Sequence, residues 1–374
     1  MNPLLELARH DQSIWVDTMR RQFVDSGALA KLVKEDGLKG VTSNPAIFEK
    51  AIAESDDYAA AIAASPQLET QALYEQLALE DIRRAADVLR PVYEATSARD
   101  GYASLEVSPR LAHDTRATVA EARRLWAALA RPNVMIKVPG TPAGIAAIET
   151  LIADGINLNV TLLFSTAVYE HTAHAYLRGL ERLVAAGGDP ARVASVASFF
   201  ISRIDSAVDA LIDRRLAAGT AGKEAAALRG QIAIANAKHA YWRYQALFSG
   251  ARWSTLAVHG ARPQRLLWAS TGVKDPAYRD VRYVEELIGA DTVNTVPPTT
   301  LDAFRAHGIA RASLTENVDQ AEAMLALAAH LGISLEEITA RLLDDGLRLF
   351  NAAFDRLLDA VYQAQQTKEK QQCS

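Results

Sequence analysis

One lysine interrupts an otherwise apolar run, Asn133-Val134-Met135-Ile136-Lys137-Val138-Pro139-Gly140. Continuous apolar residues are typical of a strand covered on both faces, and Pro139-Gly140 ends it. An apolar environment favours the neutral form of an amine, and a neutral lysine can attack a carbonyl carbon and form a Schiff base. Taken alone, the run favours the alternative, a lysine at a strand end whose ammonium reaches solvent.

Two acidic residues interrupt other apolar runs in the same way. Glu106 lies in the run 102–108, and Asp17 lies in the run 13–19. A Schiff-base lysine needs a group that moves protons while the carbinolamine forms and loses water, and Glu106 can do this directly or through a water. Aldol cleavage needs a base for a substrate hydroxyl, and Asp17 is the available carboxylate. Together, Lys137, Glu106 and Asp17 indicate Schiff-base aldol chemistry.

The other polar candidates at strand ends fall into two groups. Side chains that can hold the lysine and substrate hydroxyls by hydrogen bonds are Asn44, Asn159 and Thr161. Cations and hydroxyls that suit a phosphate monoester follow later strands: Ser198, Arg203, Ser270 and Lys274. Turn chemistry explains each such residue alone. Polar groups that interrupt several apolar strands nevertheless need partners, and a shared pocket would supply them.

These residues belong to eight strand-like runs that alternate with helical ones. The runs are 13–19, 38–43, 102–108, 133–138, 157–164, 193–202, 265–270 and 292–296. Eight strands, each followed by helix, predict an α/β fold, a (β/α)8 TIM barrel with extra helices, whose active face is formed by the C-terminal strand ends. A doubly wound sheet is the alternative, but the chain has neither the G-x-G-x-x-G nor the G-x-x-x-x-G-K-[ST] phosphate loop.

The amino-acid composition does not change markedly along the chain. We therefore expect one barrel domain over residues 1–362, with helical insertions near 45–98 and 205–248. The remaining residues, 363–374, are polar and are expected to form a frayed tail. At 374 residues and 49% hydrophobic residues, the chain can build a large core without disulfides.

Charge and composition exclude several classes of function. A net charge of −5 gives no footprint for nucleic acid. The single cysteine, Cys373, excludes an intrachain disulfide and a cysteine-based metal site. His171 and His174 lie three apart on a predicted helix, but no third ligand is apparent, so we expect no metal. No run reaches the roughly 18 apolar residues of a membrane span, and no export signal is visible, so we expect a cytoplasmic protein without membrane contact.

Successive motifs along the chain are similar to those of transaldolases, in the same order and spacing. They are Val16-Asp17-Thr18, Thr42-Ser43-Asn44-Pro45, Ser104-Leu105-Glu106-Val107, Ile136-Lys137-Val138-Pro139 and the stretch 155–165. The last, G-I-N-x-N-x-T-L-L-F-S, is highly specific, whereas the short motifs alone are weak. Residues 198–203 and 269–274 continue the resemblance, which covers nearly the whole chain except the final tail.

The resemblance implies a class I aldolase-type barrel, in a longer bacterial branch, without metal or organic cofactor. It implies a transferase that moves a dihydroxyacetone unit from sedoheptulose 7-phosphate or fructose 6-phosphate to glyceraldehyde 3-phosphate or erythrose 4-phosphate, in the non-oxidative pentose phosphate pathway. Sugar phosphates are then its partners, and a monomer or homodimer is expected.

The resemblance also implies a role for each candidate. By motif, Lys137 is the Schiff-base lysine, Asp17 the acid/base of the aldol step, and Glu106 the residue that works through a catalytic water. The supporting positions and the phosphate site match Asn44, Asn159, Thr161, Ser198 and Arg203.

Two positions depart from the family pattern. In the shorter, better-known branch the second phosphate cation is an arginine after strand seven, and here Lys274 takes that place. Phe199 replaces a proline of the phosphate loop. Two alternatives stay open: an aldolase that releases the three-carbon unit as a free product, although this chain is too long for that subgroup, and a barrel that binds sugar phosphates without turnover.

Overall fold

The structure, a computed structural model, describes residues 2–372 and the side chains of residues 2–366, so Cys373 lies outside the described residues. Eight parallel strands close into a barrel in sequential order. They are β1 Gln12–Asp17, β2 Gly40–Thr42, β3 Tyr102–Glu106, β4 Val134–Pro139, β5 Leu158–Leu163, β6 Ser195–Phe200, β7 Arg265–Ala269 and β8 Thr292–Val296. The predicted (β/α)8 barrel is therefore confirmed.

The strands are buried along their lengths, which is why their sequences are nearly continuous apolar runs. Packing inside the barrel is close enough to require glycine at one position of β2. A Cβ atom on Gly40 would lie 2.5 Å from the indole ring of Trp15 on the neighbouring strand. The bare backbone of β2 therefore makes room for the largest side chain of β1.

Helices surround the barrel and also fill two long connections. The helices are α1 Pro3–Glu6, α2 Arg21–Asp25, α3 Ala28–Asp36, α4 Pro45–Ala53, α5 Ala59–Ala63, α6 Thr70–Ala95, α7 Thr115–Leu129, α8 Pro142–Ala153, α9 Thr166–Ala185, α10 Ser202–Ala217, α11 Lys223–Ala226, α12 Ile232–Leu247, α13 Ala251–Val258, α14 Arg282–Glu285, α15 Pro298–His307, α16 Val318–His330 and α17 Leu335–Gln372. Three of them, α4 to α6, lie between β2 and β3, and four, α10 to α13, lie between β6 and β7.

Polar caps turn the chain from strand into helix at the carboxyl face of the barrel. Asn44 Oδ1 accepts a hydrogen bond from the amide of Ile47 at 3.1 Å, and Ser165 Oγ accepts one from Val168 at 3.2 Å. Such caps satisfy backbone donors that the first helical turn leaves free. They therefore mark where the helices after β2 and β5 begin.

The last helix, α17, crosses the carboxyl face of the barrel. It packs on α10 and β5 on one side and on α4, α5 and α6 on the other. Phe350 and Phe354 are buried, and the Phe354 ring meets the Tyr74 ring edge-on at 5.8 Å. Helix α17 continues to Gln372, so residues 363–372, which we expected to fray, are helical. No single helix in the described part of the chain is long and apolar enough to span a membrane, although α16 with residues 335–366 passes as a bent pair.

Candidate active site

Lys137 lies at the centre of a polar cluster inside the carboxyl end of the barrel. Parallel register places it beside Glu106 on β3 and beside Asn159 on β5. Its side chain is only 7% exposed, and its Nζ donates a hydrogen bond to the Ser43 carbonyl at 3.0 Å. Lys137 is therefore not a strand-end lysine whose ammonium reaches solvent.

Glu106 is the nearest carboxylate to this lysine. Its Oε2 lies 3.6 Å from Lys137 Nζ, which is a charge contact and too long for a direct hydrogen bond. Burial raises the pKa of Glu106 to about 7, although the Lys137 ammonium opposes that shift. Glu106 also borders a cavity of about 30 Å³ with Tyr74 and Glu121, enough for a water molecule. Glu106 can therefore gain or lose a proton near neutral pH, directly or through water.

Asp17 ends β1 on the other side of the cluster. Thr42, its partner in register on β2, donates a hydrogen bond to Asp17 Oδ1 at 2.6 Å, and the Thr42 hydroxyl also lies 2.7 Å from that of Thr295. Burial raises the pKa of Asp17, while Lys137 and Thr42 act in the opposite direction. Thr42 thus fixes one carboxylate oxygen, and the other has no donor among the described residues.

A buried hydrogen-bond chain links β6, β5 and β3 inside the barrel. Ser198 Oγ donates to Asn159 Oδ1 at 2.6 Å, and Asn159 Nδ2 donates to Ser104 Oγ at 3.2 Å. This chain fixes the orientation of the Asn159 amide next to the lysine. Sequence reasoning did not select Ser104, although it lies two residues before Glu106 and therefore on the same face of β3. It also did not select Thr42 and Thr295 as site residues.

Thr161 lies in an irregular stretch of β5. The pairing of β5 with β6 shifts register between Val160 and Leu163, and Leu162 has a φ of 60°. Such bulges and left-handed residues are common beside active sites, where they redirect side chains. The Thr161 hydroxyl is buried without a hydrogen-bond partner among the described residues, so its predicted role in binding stays a prediction.

Arg203 and Ser270 lie just after the ends of β6 and β7. Arg203 is the second residue of α10, and its guanidinium lies 5.5 Å from the centre of the Phe200 ring. Burial lowers the pKa of Arg203, while Asp345 of α17 opposes that shift. No described residue accepts a hydrogen bond from this guanidinium. Ser270, with a φ of 55°, places its Oγ 3.0 Å from Ser202 Oγ, so both segments flank the start of α10.

Lys274 lies apart from these residues. It is exposed and lines a cleft of about 250 Å³ that also borders Asp205, Asp209 and Asp213 of α10. The structure does not bring Lys274 into contact with Arg203 or Ser198 within the described residues. Ser198 itself joins the Asn159 chain in the barrel interior. The phosphate-binding roles of Ser198 and Lys274 therefore stay predictions.

His171 and His174 line a different groove. This groove, of about 1340 Å³, runs between α9, α12 and α17, and its lining includes neither Lys137 nor the two carboxylates. The His174 ring lies 3.3 Å from Arg252 on α13. Within residues 2–372, no group of three or more His, Cys, Asp or Glu side chains is placed to hold a metal ion.

Comparison with known proteins decides the family. Residues 14–361 match the family model described as transaldolase/fructose-6-phosphate aldolase. This chain belongs to that family. Among its relatives, the transaldolase of Thiobacillus denitrificans is 49% identical over 96% of this chain and 100% of its own length. Transaldolase 2 of Nostoc sp. is 47% identical over 96% and 97%, and the transaldolase of Neisseria gonorrhoeae is 49% identical over 96% and 99%.

The family match confirms the resemblance inferred from the motifs. The matched region contains every strand end that contributes to the cluster, from Asp17 on β1 to Thr295 on β8. Members of the transaldolase/fructose-6-phosphate aldolase family act on sugar phosphates, so these are the substrate class of this enzyme.

Proposed function

We propose that the enzyme is a transaldolase in which Lys137 carries the dihydroxyacetone unit as a Schiff base. The observation that supports this most directly is the burial of Lys137 within 3.6 Å of one carboxylate, in a cluster that also contains Asp17. Fructose 6-phosphate or sedoheptulose 7-phosphate is the donor, and erythrose 4-phosphate or glyceraldehyde 3-phosphate is the acceptor.

Each group in the cluster has a step that suits its environment. The neutral amine of Lys137 attacks the ketose carbonyl carbon, and Glu106, through a water, shuttles the protons that convert the carbinolamine to a Schiff base. Asp17 then removes the proton of the C4 hydroxyl, the C3–C4 bond breaks, and the aldose phosphate leaves. The electron pair of the broken C3–C4 bond stays on the three-carbon unit bound to Lys137, which becomes an enamine. The acceptor aldehyde reverses these steps, and water releases the product from Lys137.

The supporting residues hold the reacting atoms in place. In this proposal the Asn159 amide, beside Lys137 in register, and the Thr161 hydroxyl, buried without a hydrogen-bond partner among the described residues, hold the unit bound to Lys137, and Asn44 follows the end of β2. The phosphate group of the donor lies at the start of α10, where the guanidinium of Arg203, the second residue of the helix, favours an anion. Location in the cytoplasm and a monomeric or dimeric state belong to the same proposal.

Borohydride reduction in the presence of fructose 6-phosphate tests the proposal. We expect a mass increase for one three-carbon unit, mapped to Lys137, and no adduct in the Lys137→Met variant. Lys238 is an internal control, since it is also buried but donates to the carbonyls of Ser313 and Glu316. An adduct on another lysine, or turnover by Lys137→Met, would show that the assignment is wrong.

Acceptor dependence separates the transferase from its two rivals. A transaldolase turns over fructose 6-phosphate only when erythrose 4-phosphate is present, whereas an aldolase releases dihydroxyacetone without it. A barrel that only binds sugar phosphates gives no reduced adduct at all. Product analysis with and without the acceptor therefore distinguishes the three hypotheses.

A further inference from the structure

Two buried carboxylates of α10 face tyrosines of the segment that follows β7. Tyr283 donates its hydroxyl proton to Asp205 Oδ2 at 2.8 Å, and Tyr278 donates to Asp209 Oδ2, also at 2.8 Å. The two acids are one helical turn apart, so they lie on one face of α10. The tyrosines therefore attach this segment to α10 at two successive turns.

The second oxygen of each carboxylate is also used. Asp205 Oδ1 accepts a hydrogen bond from the amide of Ala233 at 2.8 Å, and Asp209 Oδ1 accepts one from the amide of Gly230 at 2.9 Å. Gly230 has a φ of 65°. Each carboxylate thus joins α10 to two other parts of the chain, the start of α12 and the segment after β7.

These contacts use charged groups where apolar ones would cost less. Asp205 is 1% exposed and Asp209 is 6% exposed, and burial raises the pKa of both, that of Asp205 to about 6. A buried carboxylate without an ion-pair partner is expensive to fold around. Its oxygens, however, accept hydrogen bonds only in defined directions, so such groups set geometry more sharply than apolar packing does.

The geometry set here is that of the phosphate side of the site. Arg203 lies two residues before Asp205 on the same helix. Ser202, the first residue of α10, contacts Ser270, the first residue of the segment that follows β7. We propose that Asp205 and Asp209 are positioning residues, which hold the start of α10 and its Arg203 in register with Ser270 so that both can meet the substrate phosphate. The inference rests on the proposed role of Arg203.

A double variant, Tyr278→Phe with Tyr283→Phe, tests the inference because it removes only the two hydroxyls. We expect KM for fructose 6-phosphate to rise about five-fold or more, with KM for unphosphorylated fructose unchanged. The inhibition constant of inorganic phosphate should rise in parallel. Arg203→Ala is the reference for full loss of the phosphate contact. Tyr176→Phe is the matched control, since its hydroxyl donates to the Arg262 carbonyl, ahead of β7, at 2.7 Å.

Comparing fructose 6-phosphate with unphosphorylated fructose as substrates separates a positioning role from a general effect on folding. Equal changes for both donors, or a change no larger than that in Tyr176→Phe, would overturn the inference. If the double variant does not fold, the single Tyr283→Phe variant is held to the same criteria. An Arg203→Ala variant that treats both donors alike would overturn the inference, while borohydride labelling of Lys137 would leave the proposed function standing.

Discussion

Two buried ion pairs occupy opposite ends of this barrel. They are equally buried, but they differ in the distance between the charged atoms and in the number of hydrogen-bond donors around the carboxylate. Lys137 and Glu106 lie at the carboxyl end, and Arg265 and Asp100 lie at the amino end. In both pairs the cation is 7% exposed and the carboxylate 5% exposed. The closest charged atoms are 3.6 Å apart in the first pair and 2.9 Å apart in the second.

The amino-end pair is saturated with hydrogen bonds. Asp100 accepts from Arg265 at 2.9 Å, from the Ser13 hydroxyl at 2.7 Å and from the Trp15 indole at 3.3 Å. Burial alone would raise the pKa of Asp100, but Arg265 and these donors outweigh it and hold that pKa below its usual value. This carboxylate stays ionised, and its contacts bring β1, β7 and the turn before β3 together.

The carboxyl-end pair is left incomplete. Glu106 Oε2 has no hydrogen-bond donor among the described residues, and the pKa of Glu106 rises to about 7. The same burial therefore gives opposite outcomes, depending on how many donors surround the carboxylate. A pair saturated with donors is costly to break because one charge would stay buried alone, whereas an unsaturated carboxylate with a raised pKa keeps a proton available for chemistry.

The two pairs must also respond to pH in opposite directions. Glu106 has a raised pKa in the folded state, so its contribution to stability is fully present below its unfolded pKa and is lost as pH rises through about 7. Asp100 has a depressed pKa, so its contribution is present above its unfolded pKa and is lost as pH falls through the folded value.

The largest expected effect comes from Glu106→Gln, which removes the proton carrier but keeps the shape of the side chain. We expect kcat to fall by about 10²–10⁴-fold. In the wild type, kcat/KM should rise with pH through about 7, as the Glu106 carboxylate becomes able to accept protons from Lys137. That limb should vanish in the variant. A limb near pH 7 that persists in Glu106→Gln would assign the ionisation to another group.

The next prediction compares the free energy of unfolding of two variants in which methionine replaces the cation, Arg265→Met at the amino end and Lys137→Met at the carboxyl end. Arg265→Met leaves the Asp100 carboxylate buried without its cation, and we expect a loss of about 3–5 kcal/mol in the free energy of unfolding. After Lys137→Met, the nearest carboxyl group, Glu106, can take up a proton because burial raises its pKa to about 7, so we expect a change of only about 1 kcal/mol.

Urea unfolding at pH 7 measures both variants. Adding Asp100→Leu to Arg265→Met should recover part of the lost stability, because no unpaired charge remains. Equal losses in the two single variants would mean that the pairs do not differ as proposed.

The sequence predicted the barrel because its evidence is local. The eight strands are continuous apolar runs, and helix caps such as Asn44 and Ser165 mark where they end, so the strand bounds differ from the prediction by only a few residues. Parallel register then brings polar residues of neighbouring strand ends together, which is why Glu106, Lys137 and Asn159 meet.

Other features were not predictable because they depend on contacts between distant segments. Arg265 looked like an ordinary strand residue, and its partner Asp100 lies 165 residues away in a turn. The bulge at Leu162 leaves no mark in an apolar run. The sequence motif predicted Lys274 as a phosphate ligand, yet its loop places it in a cleft bordered by Asp205, Asp209 and Asp213 of α10. The carboxylates of α10, Asp205 and Asp209, gave no sequence signal of their burial.

The smallest expected effects come from adding one methyl group at each end of the barrel, by Gly40→Ala at the amino end and Gly346→Ala at the carboxyl end. At the amino end, Gly40→Ala places a Cβ 2.5 Å from the Trp15 ring, whose indole donates to Asp100, and we expect about 1–3 kcal/mol of destabilisation with kcat retained. At the carboxyl end, Gly346→Ala on α17 places a Cβ 2.9 Å from Leu162 Cδ2 and 3.8 Å from Arg203 Nη1.

Alanine favours a helix over glycine by about 0.5–1 kcal/mol, so Gly346→Ala should leave stability nearly unchanged. Its methyl group instead displaces Leu162 or α17 beside the mouth, and KM for fructose 6-phosphate should rise by about two- to five-fold, a small change in positioning. Gly250→Ala, whose Cβ meets only the Ala246 carbonyl at 3.8 Å, is the control. A loss of stability without a change in KM would mean that the contact between α17 and Leu162 belongs to the core, as Gly40 does, and not to the site.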